Sequence, residues 1–419
     1  MITKATIKNF MGIEKEVQIN CLANNKIKRK KVCYSYSKTF DDVNILKTIG
    51  IIGSNGSGKT SILNAFLTLQ TFVNFPFRRS TKDQKSFIEQ IKKLPEETLR
   101  QIMDDFNTLK LGLSNINHID EDTFIELEMY IPESKNVISG YYTYSILYDN
   151  NYKINGVKNE KLLYRKKYKS TKGKVIFDVH NVIESELGTK ILYENNTLNV
   201  SEDNSYFSYY KSVGTELINN LDFIFFGDSY DLTSFFKNHH NEFISLAKIA
   251  DEKICNVKVE KRNNNEANDK LIFLNKENNK LYFEQLSTGT KKVIVLGSRL
   301  IESILNNHII FIDELETSLH PALAEFLLSI IQRNNKKTFS QLFFTTHSIF
   351  LASTLDNDQL YYIDNKNFDY KMYSINDAIK HNIITKDRTL MSAVIDNLLI
   401  NNPNFDRIKE FIDMLNNQY

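Results

Sequence analysis

From Phe124 onward the chain alternates apolar and polar residues with a period of two. Ile125, Leu127, Met129 and Ile131 alternate with Glu126, Glu128 and Tyr130, and Tyr142, Tyr144, Ile146 and Tyr148 repeat the pattern. Successive strand side chains point to opposite faces, so this is the pattern of a half-buried antiparallel sheet. Leu162-Leu-Tyr and Lys174-Val-Ile-Phe-Asp-Val read as further strands. Upstream, Ile2 to Phe10 reads as an edge or meander strand, followed by a strand at Glu16-Val-Gln-Ile-Asn20. Elsewhere the period lengthens. Phe87, Ile88, Ile91 and Leu94 fall at helical spacing, and Pro95 restarts a helix carrying Leu99, Ile102, Met103, Phe106 and Leu109. The stretch from Tyr206 to Ile254 is mostly helical, with a break near Phe226-Gly-Asp. Leu271-Ile-Phe-Leu and Leu281-Tyr-Phe-Glu flank a turn, Lys276-Glu-Asn-Asn-Lys, and predict a hairpin. Thr389 to Tyr419 reads as two small amphipathic helices around Asn401-Asn-Pro403, a surface for dimerisation or a partner. There is no fixed-period repeat and no long heptad run, so any projecting helical arm is short.

One apolar run ends in a pattern of a different kind. Ile49-Gly-Ile-Ile52 leads into Gly53-Ser-Asn-Gly-Ser-Gly-Lys59-Thr60, and Ser61-Ile-Leu-Asn-Ala-Phe-Leu then reads as helix. This is G-x-x-x-x-G-K-[ST] between a strand and a helix, the phosphate-binding loop. Gly53, Gly56 and Gly58 let the backbone curl so that the N–H groups of Asn55, Ser57 and their neighbours point at one centre. The helix beginning near Ser61 adds its positive end. Lys59 reaches the β- and γ-phosphates, and the Thr60 hydroxyl ligates Mg²⁺. The chain therefore carries a nucleoside triphosphate site.

Three later segments complete that chemistry. Leu286-Ser287-Thr288-Gly289-Thr290-Lys291 opens a helix, with Ser287 and Gly289 at a second anion-attracting end. His308-Ile-Ile-Phe-Ile-Asp313-Glu314 is a buried strand ending in two carboxylates: Asp313 suits the Mg²⁺ shell and Glu314 the general base that polarises water. Gln341-Leu-Phe-Phe-Thr-Thr-His347-Ser348 is a third apolar strand, and His347 at its end suits a hydrogen bond to the transferring phosphoryl group.

In this order the phosphate loop, Leu-Ser-x-Gly signature, Asp-Glu strand and Thr-His-Ser segment resemble the ABC-type ATPases of the SMC/RecF/OLD group. Ile7-Lys-Asn-Phe10 is similar to their opening strand, and Glu314-Leu-Glu-Thr-Ser-Leu-His-Pro321 is similar to the standalone OLD-like AAA-type ATPases of bacterial phage defence. Transporter ATPases carry Ser-Ala-Leu-Asp where this chain has Ser318-Leu-His320. Thr288 and Thr290 depart from the Leu-Ser-Gly-Gly-Gln form, and Gln70, Gln84 and Gln90 all remain candidates for the Q-loop glutamine.

The resemblance implies an α/β P-loop NTPase of ABC-ATPase head type, with a mixed central sheet, an antiparallel β lobe and a helical insertion. It divides the chain into an N-terminal ATPase lobe (1–72), a helical insertion (73–122), the β lobe (123–200), a helical insertion or short arm (201–255), a C-terminal ATPase lobe (256–388) and closing helices (389–419). It implies ATP and Mg²⁺ as ligands and a head-to-tail homodimer sandwiching two ATP molecules. In that dimer Ser287 and Gly289 cap the γ-phosphate bound by the opposite protomer. Only about seventy residues follow His347, too few for a Toprim nuclease domain, so the resemblance implies a separate effector protein encoded nearby. A clamp on duplex DNA, as in RecF or SMC proteins, is the rival reading.

Composition narrows these readings only slightly. Of 419 residues 42% are hydrophobic and 25% charged, and the formal net charge is +2, so nucleic acid could be held only by local patches. Lys26 to Lys31 is one such run, and it reads sooner as a solvated edge guarded by lysines than as a phosphate track. Lys158 to Lys174 is another, with Arg165, Lys166, Lys167 and Lys169 around Tyr164 and Tyr168. It reads equally as a phosphate track or as a hairpin edge guarded by lysines. Cys21, Cys33 and Cys255 form no ligand set and read as free thiols. No apolar run approaches a membrane span, and the expected setting is the cytoplasm.

Overall fold

Alternation in the sequence becomes paired strands in the structure, a computed structural model that describes residues 1–24, 27, 35–74, 121–133, 139–148, 157–170, 174–180, 190–192, 197–199, 223–225, 231–260, 269–333, 338–366, 369–385 and 414. The chain begins with β1 (Ile2–Lys8), β2 (Val17–Asn20), β3 (Tyr36–Lys38), β4 (Asn44–Leu46), β5 (Thr48–Gly53) and α1 (Lys59–Asn74). Its middle holds β6 (Thr123–Ile131), β7 (Gly140–Tyr148), β8 (Val157–Arg165), β9 (Lys174–His180) and the short β10 (Lys190–Leu192), β11 (Thr197–Asn199) and β12 (Phe223–Phe225). Next come α2 (Leu232–Asn238), α3 (His240–Ala250), β13 (Asn256–Glu260), β14 (Lys270–Leu274), β15 (Lys280–Tyr282) and α4 (Thr288–Asn306). The last part runs β16 (Ile309–Ile312), α5 (Pro321–Gln332), β17 (Gln341–Thr346), α6 (Ile349–Ser353), β18 (Leu360–Lys366), β19 (Asp369–Ser374) and α7 (Ile375–Lys380).

Two six-stranded sheets organise these elements. The first is antiparallel, in the order β2-β1-β6-β7-β8-β9. The second, in the order β12-β16-β17-β5-β18-β19, is parallel except for β19 at its edge. Its central strands are buried on both faces, so they read as continuous apolar runs rather than alternating ones. Each face feeds a different core. Ile49, Ile51, Phe311 and Phe343 point toward α1 and the antiparallel sheet, while Ile52, Ile310, Ile312 and Phe344 point toward α4, α5 and α6. Phe66 of α1 stacks on Phe311 with ring centroids 4.7 Å apart, which seats the helix under the ends of β5 and β16. A third core joins α2 and α3 to the sheet β13-β14-β15 and to Ile294 of α4.

Several sequence expectations are corrected. Of the two readings of the first strand, edge and meander, the edge falls: β1 lies between β2 and β6, pairs antiparallel with β2 that follows it, and stops at Lys8 because Asn9 and Met11 take left-handed backbone, φ 49° and 50°. Phe223–Phe225, read as part of a helical stretch, is a strand pairing in parallel with β16. Three apolar residues fit either period, and the exposed edge of β16 decides the matter. The hairpin at β14 and β15 is present, but β13 adds a strand that the pattern did not predict. The predicted helices at 87–109 and 389–419 lie outside the described residues.

Gln341, at the first position of β17, stitches the two sheets together. Its Oε1 accepts from the Ile2 amide at 2.7 Å, and its Nε2 donates to the Ile2 and Leu46 carbonyls at 3.0 and 2.9 Å. The side chain is fully buried. Gln341→Leu should therefore orphan three buried backbone groups and destabilise the protein by about 3–9 kcal/mol, at roughly 1–3 per group. A denaturant midpoint equal to wild type would refute this role.

Lys47, immediately before β5, is also fully buried, and burial pushes its ammonium down from the ordinary 10.5 to about 8. Folding here penalises the charged form. The penalty is absent above pH 10.5, grows as pH falls, and is complete below about 8. Lys47→Met should remove that part of the pH dependence and raise stability at pH 7 by about 3 kcal/mol. Denaturation at pH 7 and pH 10 checks it; equal pH profiles for both proteins would contradict it.

Candidate functional site

β16, β17 and β5 are adjacent and parallel, so their carboxyl ends share one ledge. In an open α/β sheet such a ledge is where ligands bind. The loop 53–58 leaves β5 there and enters α1. Gly56 and Gly58 supply its positive φ values, 70° and 94°, which L side chains rarely adopt. Asn55 and Gly56 are exposed, Ser61 is half-buried, and Ser57 is buried with its hydroxyl unpartnered. Lys59 is buried, and its ammonium donates to the loop's own carbonyls, Gly53 at 3.0 Å and Ser54 at 2.9 Å. Burial lowers its pKa, opposed by the negative charges of Asp313, Glu314 and Glu316.

The other ends complete the cluster. Thr60 Oγ1 donates to Asp313 Oδ2 at 2.9 Å, joining the phosphate loop to the end of β16. Thr345 of β17 donates to Asp313 Oδ1 and accepts from the Glu314 amide at 2.8 Å. The Glu314 carboxylate lies 3.7 Å from His347 Nε2 through Oε1 and accepts from Thr317 Oγ1 at 2.9 Å through Oε2. Glu316 Oε1 accepts from the His347 amide at 2.6 Å. Lys59, Thr60, Asp313, Glu314 and His347, singled out across nearly three hundred positions, thus stand together. Gly289 lies against the end of the 314–318 turn, while Ser287 starts its helix. Ser287 caps α4 by accepting from the Thr290 amide at 3.1 Å, and a Cβ on Gly289 would come within 2.9 Å of the Ser318 carbonyl.

Thr345, Glu316 and Lys292 escaped the sequence reading. Thr345 could have been found from its place two residues before His347 on a strand paired with β16; the other two carry no local signal. Of the glutamine candidates, Gln84 and Gln90 lie outside the described residues, as does the side chain of Gln70.

The donor set suits the ligands in view. A threonine hydroxyl and an aspartate carboxylate in contact at an exposed rim are the hard oxygen donors Mg²⁺ takes while keeping water and phosphate oxygens. A buried ammonium and an unpartnered buried hydroxyl under a glycine loop suit phosphate.

The second basic run is tied into the fold. Arg165 pairs with Glu128, donates to the Tyr168 carbonyl at 3.2 Å and lies over the Tyr168 ring. Tyr164 packs on Tyr142 and Tyr168 on Tyr141, with centroids 5.0 and 5.3 Å apart. The rings are thus engaged within the protein, while Lys166, Lys167 and Lys169 face solvent. Most of Lys26 to Lys31 lies outside the described residues. No described helix is long and apolar enough to cross a membrane.

Fold and ledge together define a P-loop NTPase of the ABC-ATPase head type. Residues 49–353 match the family described as "AAA domain, putative AbiEii toxin, Type IV TA system". The chain belongs to that family. Among solved structures it is similar to an Smc head bound to the C-winged helix domain of ScpA, with a TM-score of 0.45, 10% identity, and coverage of 90% of this chain and 99% of that one. It is also similar to the SMC head domain from Thermotoga maritima, with a TM-score of 0.37, 10% identity, and coverage of 89% and 98%. The Smc head with an extended coiled coil bound to the C-terminal domain of ScpA, derived from Pyrococcus furiosus, gives 0.42, 10%, and 91% and 98%. No curated protein sequence matches the chain.

Proposed function

We propose that the protein is a slow ATPase that binds Mg·ATP on the ledge and dimerises head to tail around two ATP molecules. In this reading it serves as the sensor or scaffold controlling a separate effector in an antiphage defence system. The observation that carries the nucleotide chemistry is the continuous contact Thr60–Asp313–Thr345–Glu314 at the ends of adjacent parallel strands. Lys59 would leave the Gly53 and Ser54 carbonyls to meet β- and γ-phosphate oxygens. Thr60 and Asp313 would hold Mg²⁺, whose charge offsets that of the phosphates. Glu314 would take the proton of the attacking water, and His347 would hydrogen-bond the transferred phosphoryl group. Ser287 and Gly289, on an exposed helix start, would meet the partner protomer's γ-phosphate. Hydrolysis then resets a state that ATP binding creates.

The defence role is supported by the OLD-like Glu314–Pro321 segment and by the family description, which names a toxin of a TA system. A duplex-DNA clamp is the second reading, favoured by the exposed Lys166, Lys167 and Lys169 on one turn.

Glu314→Gln should lower turnover by about a hundredfold or more, the scale of a general base, and accumulate an ATP-bound dimer by light scattering. Lys59→Ala should abolish nucleotide retention. Wild-type turnover in Glu314→Gln would remove the general base. Tagged Glu314→Gln, purified with ATP from cells carrying its native gene neighbourhood, separates the two roles. A stoichiometric product of a neighbouring gene supports the scaffold; duplex DNA without a protein partner supports the clamp.

A further inference from the structure

The turn that carries Glu314 is held by a side chain with no part in the chemistry above. Glu314 takes φ 45°, left-handed backbone that a residue with a Cβ adopts only when its surroundings impose it. Its amide is held by Thr345, and its carbonyl accepts from the Thr317 amide at 3.0 Å. The same carbonyl accepts from Lys292 Nζ at 3.1 Å, and that ammonium also donates to the Thr317 carbonyl at 2.8 Å. Lys292 is three residues beyond Gly289 on α4, so the two share a helix face. Gly289 in turn lies against the Ser318 carbonyl. Two contacts therefore join the first turns of α4 to the strained turn at its beginning and its end.

We propose that Lys292 is a positioning residue that ties the Ser287–Gly289 end of α4 to the Glu314 turn, so that engaging the partner's triphosphate at that helix end sets the placement of the general base toward the chain's own triphosphate. This rests on the head-to-tail reading above. An ammonium has three donors and spans both carbonyls of the turn at once. Burial works against its charge, and Glu316 and Glu314 work for it. The charge that grips the turn is thus sustained by the turn's own carboxylates. Because each chain gives its signature end to one nucleotide and its Glu314 to the other, the tether makes turnover at one site depend on occupancy of the second.

Wild type, Lys292→Met and Lys292→Arg, as full chains, test this. In nucleotide-free protein the amides of Thr317 and Leu319, hydrogen-bonded within this turn, should exchange about tenfold faster in Lys292→Met, with the amides of β16 and β17 unaffected. With ATP, Lys292→Met should lose about tenfold or more in kcat with KM within about threefold, and its ATP dependence should change from sigmoidal to hyperbolic. Lys292→Arg should recover all three properties. Wild-type exchange in Lys292→Met would overturn the tether, and wild-type kcat and cooperativity, or a defect confined to KM, would overturn the coupling. A wild-type protein that never hydrolyses ATP would instead sink the functional reading, while the exchange data still decide whether the tether exists.

Discussion

The site depends on the parallel register of β17 between β16 and β5. Ile312 lies opposite Phe344 and Thr346 opposite Ile52, so Asp313, His347 and the phosphate loop all leave their strands on one ledge. A shift of one residue in that pairing would turn Phe343 and Phe344 to the wrong cores and remove Thr345 from between Asp313 and Glu314. The register is therefore specified twice. The two apolar faces demand it from below, and the hydroxyl and carboxylate contacts demand it at the top.

That double specification accounts for the strain the turn after β16 carries. Glu314 and Ser318 both take left-handed backbone, at φ 45° and 61°, in a segment with no glycine. Such conformations cost on the order of 1–3 kcal/mol each and persist only where contacts over-determine them. Here Thr345 holds the entry, Lys292 the carbonyls, and the Glu316 carboxylate grips the His347 amide. The turn is thus wedged between β17 and α4, and contacts from both sides add to its own hydrogen bonds in setting its geometry.

This explains which parts of the protein could be read from its sequence. The phosphate loop, the Asp313–Glu314 strand end and the antiparallel alternation at 124–148 are local patterns, each written within about ten residues. The ranking of β1 as internal, the strand at Phe223–Phe225 and the added β13 were not local. A three-residue run becomes a strand only because β16 presents an open edge to it. Lys292 and Glu316 were missed for the same reason. A lysine on a helix and a glutamate in a turn are ordinary in isolation; the packing of α4 against the 314–318 turn gives Lys292 its partners, and the end of β17 gives Glu316 the His347 amide.

Charge balance on the ledge bears on the ligand proposed for it. Asp313, Glu314 and Glu316 act on Lys59, and Glu314 and Glu316 also act on Lys292. Three carboxylates thus face two ammoniums, and one of these, Lys292, is occupied with the carbonyls of the turn. A bare triphosphate entering beside Lys59 would bring several negative charges against a surface that already has an excess of them. In a partly desolvated site such repulsion is not screened away. A divalent cation held by Thr60 and Asp313 would reverse the sign of that local interaction, so carboxylates that oppose the nucleotide alone would favour its metal complex. In the proposed reading, the same carboxylates that sustain the charge on both lysines would make metal and nucleotide binding mutually dependent.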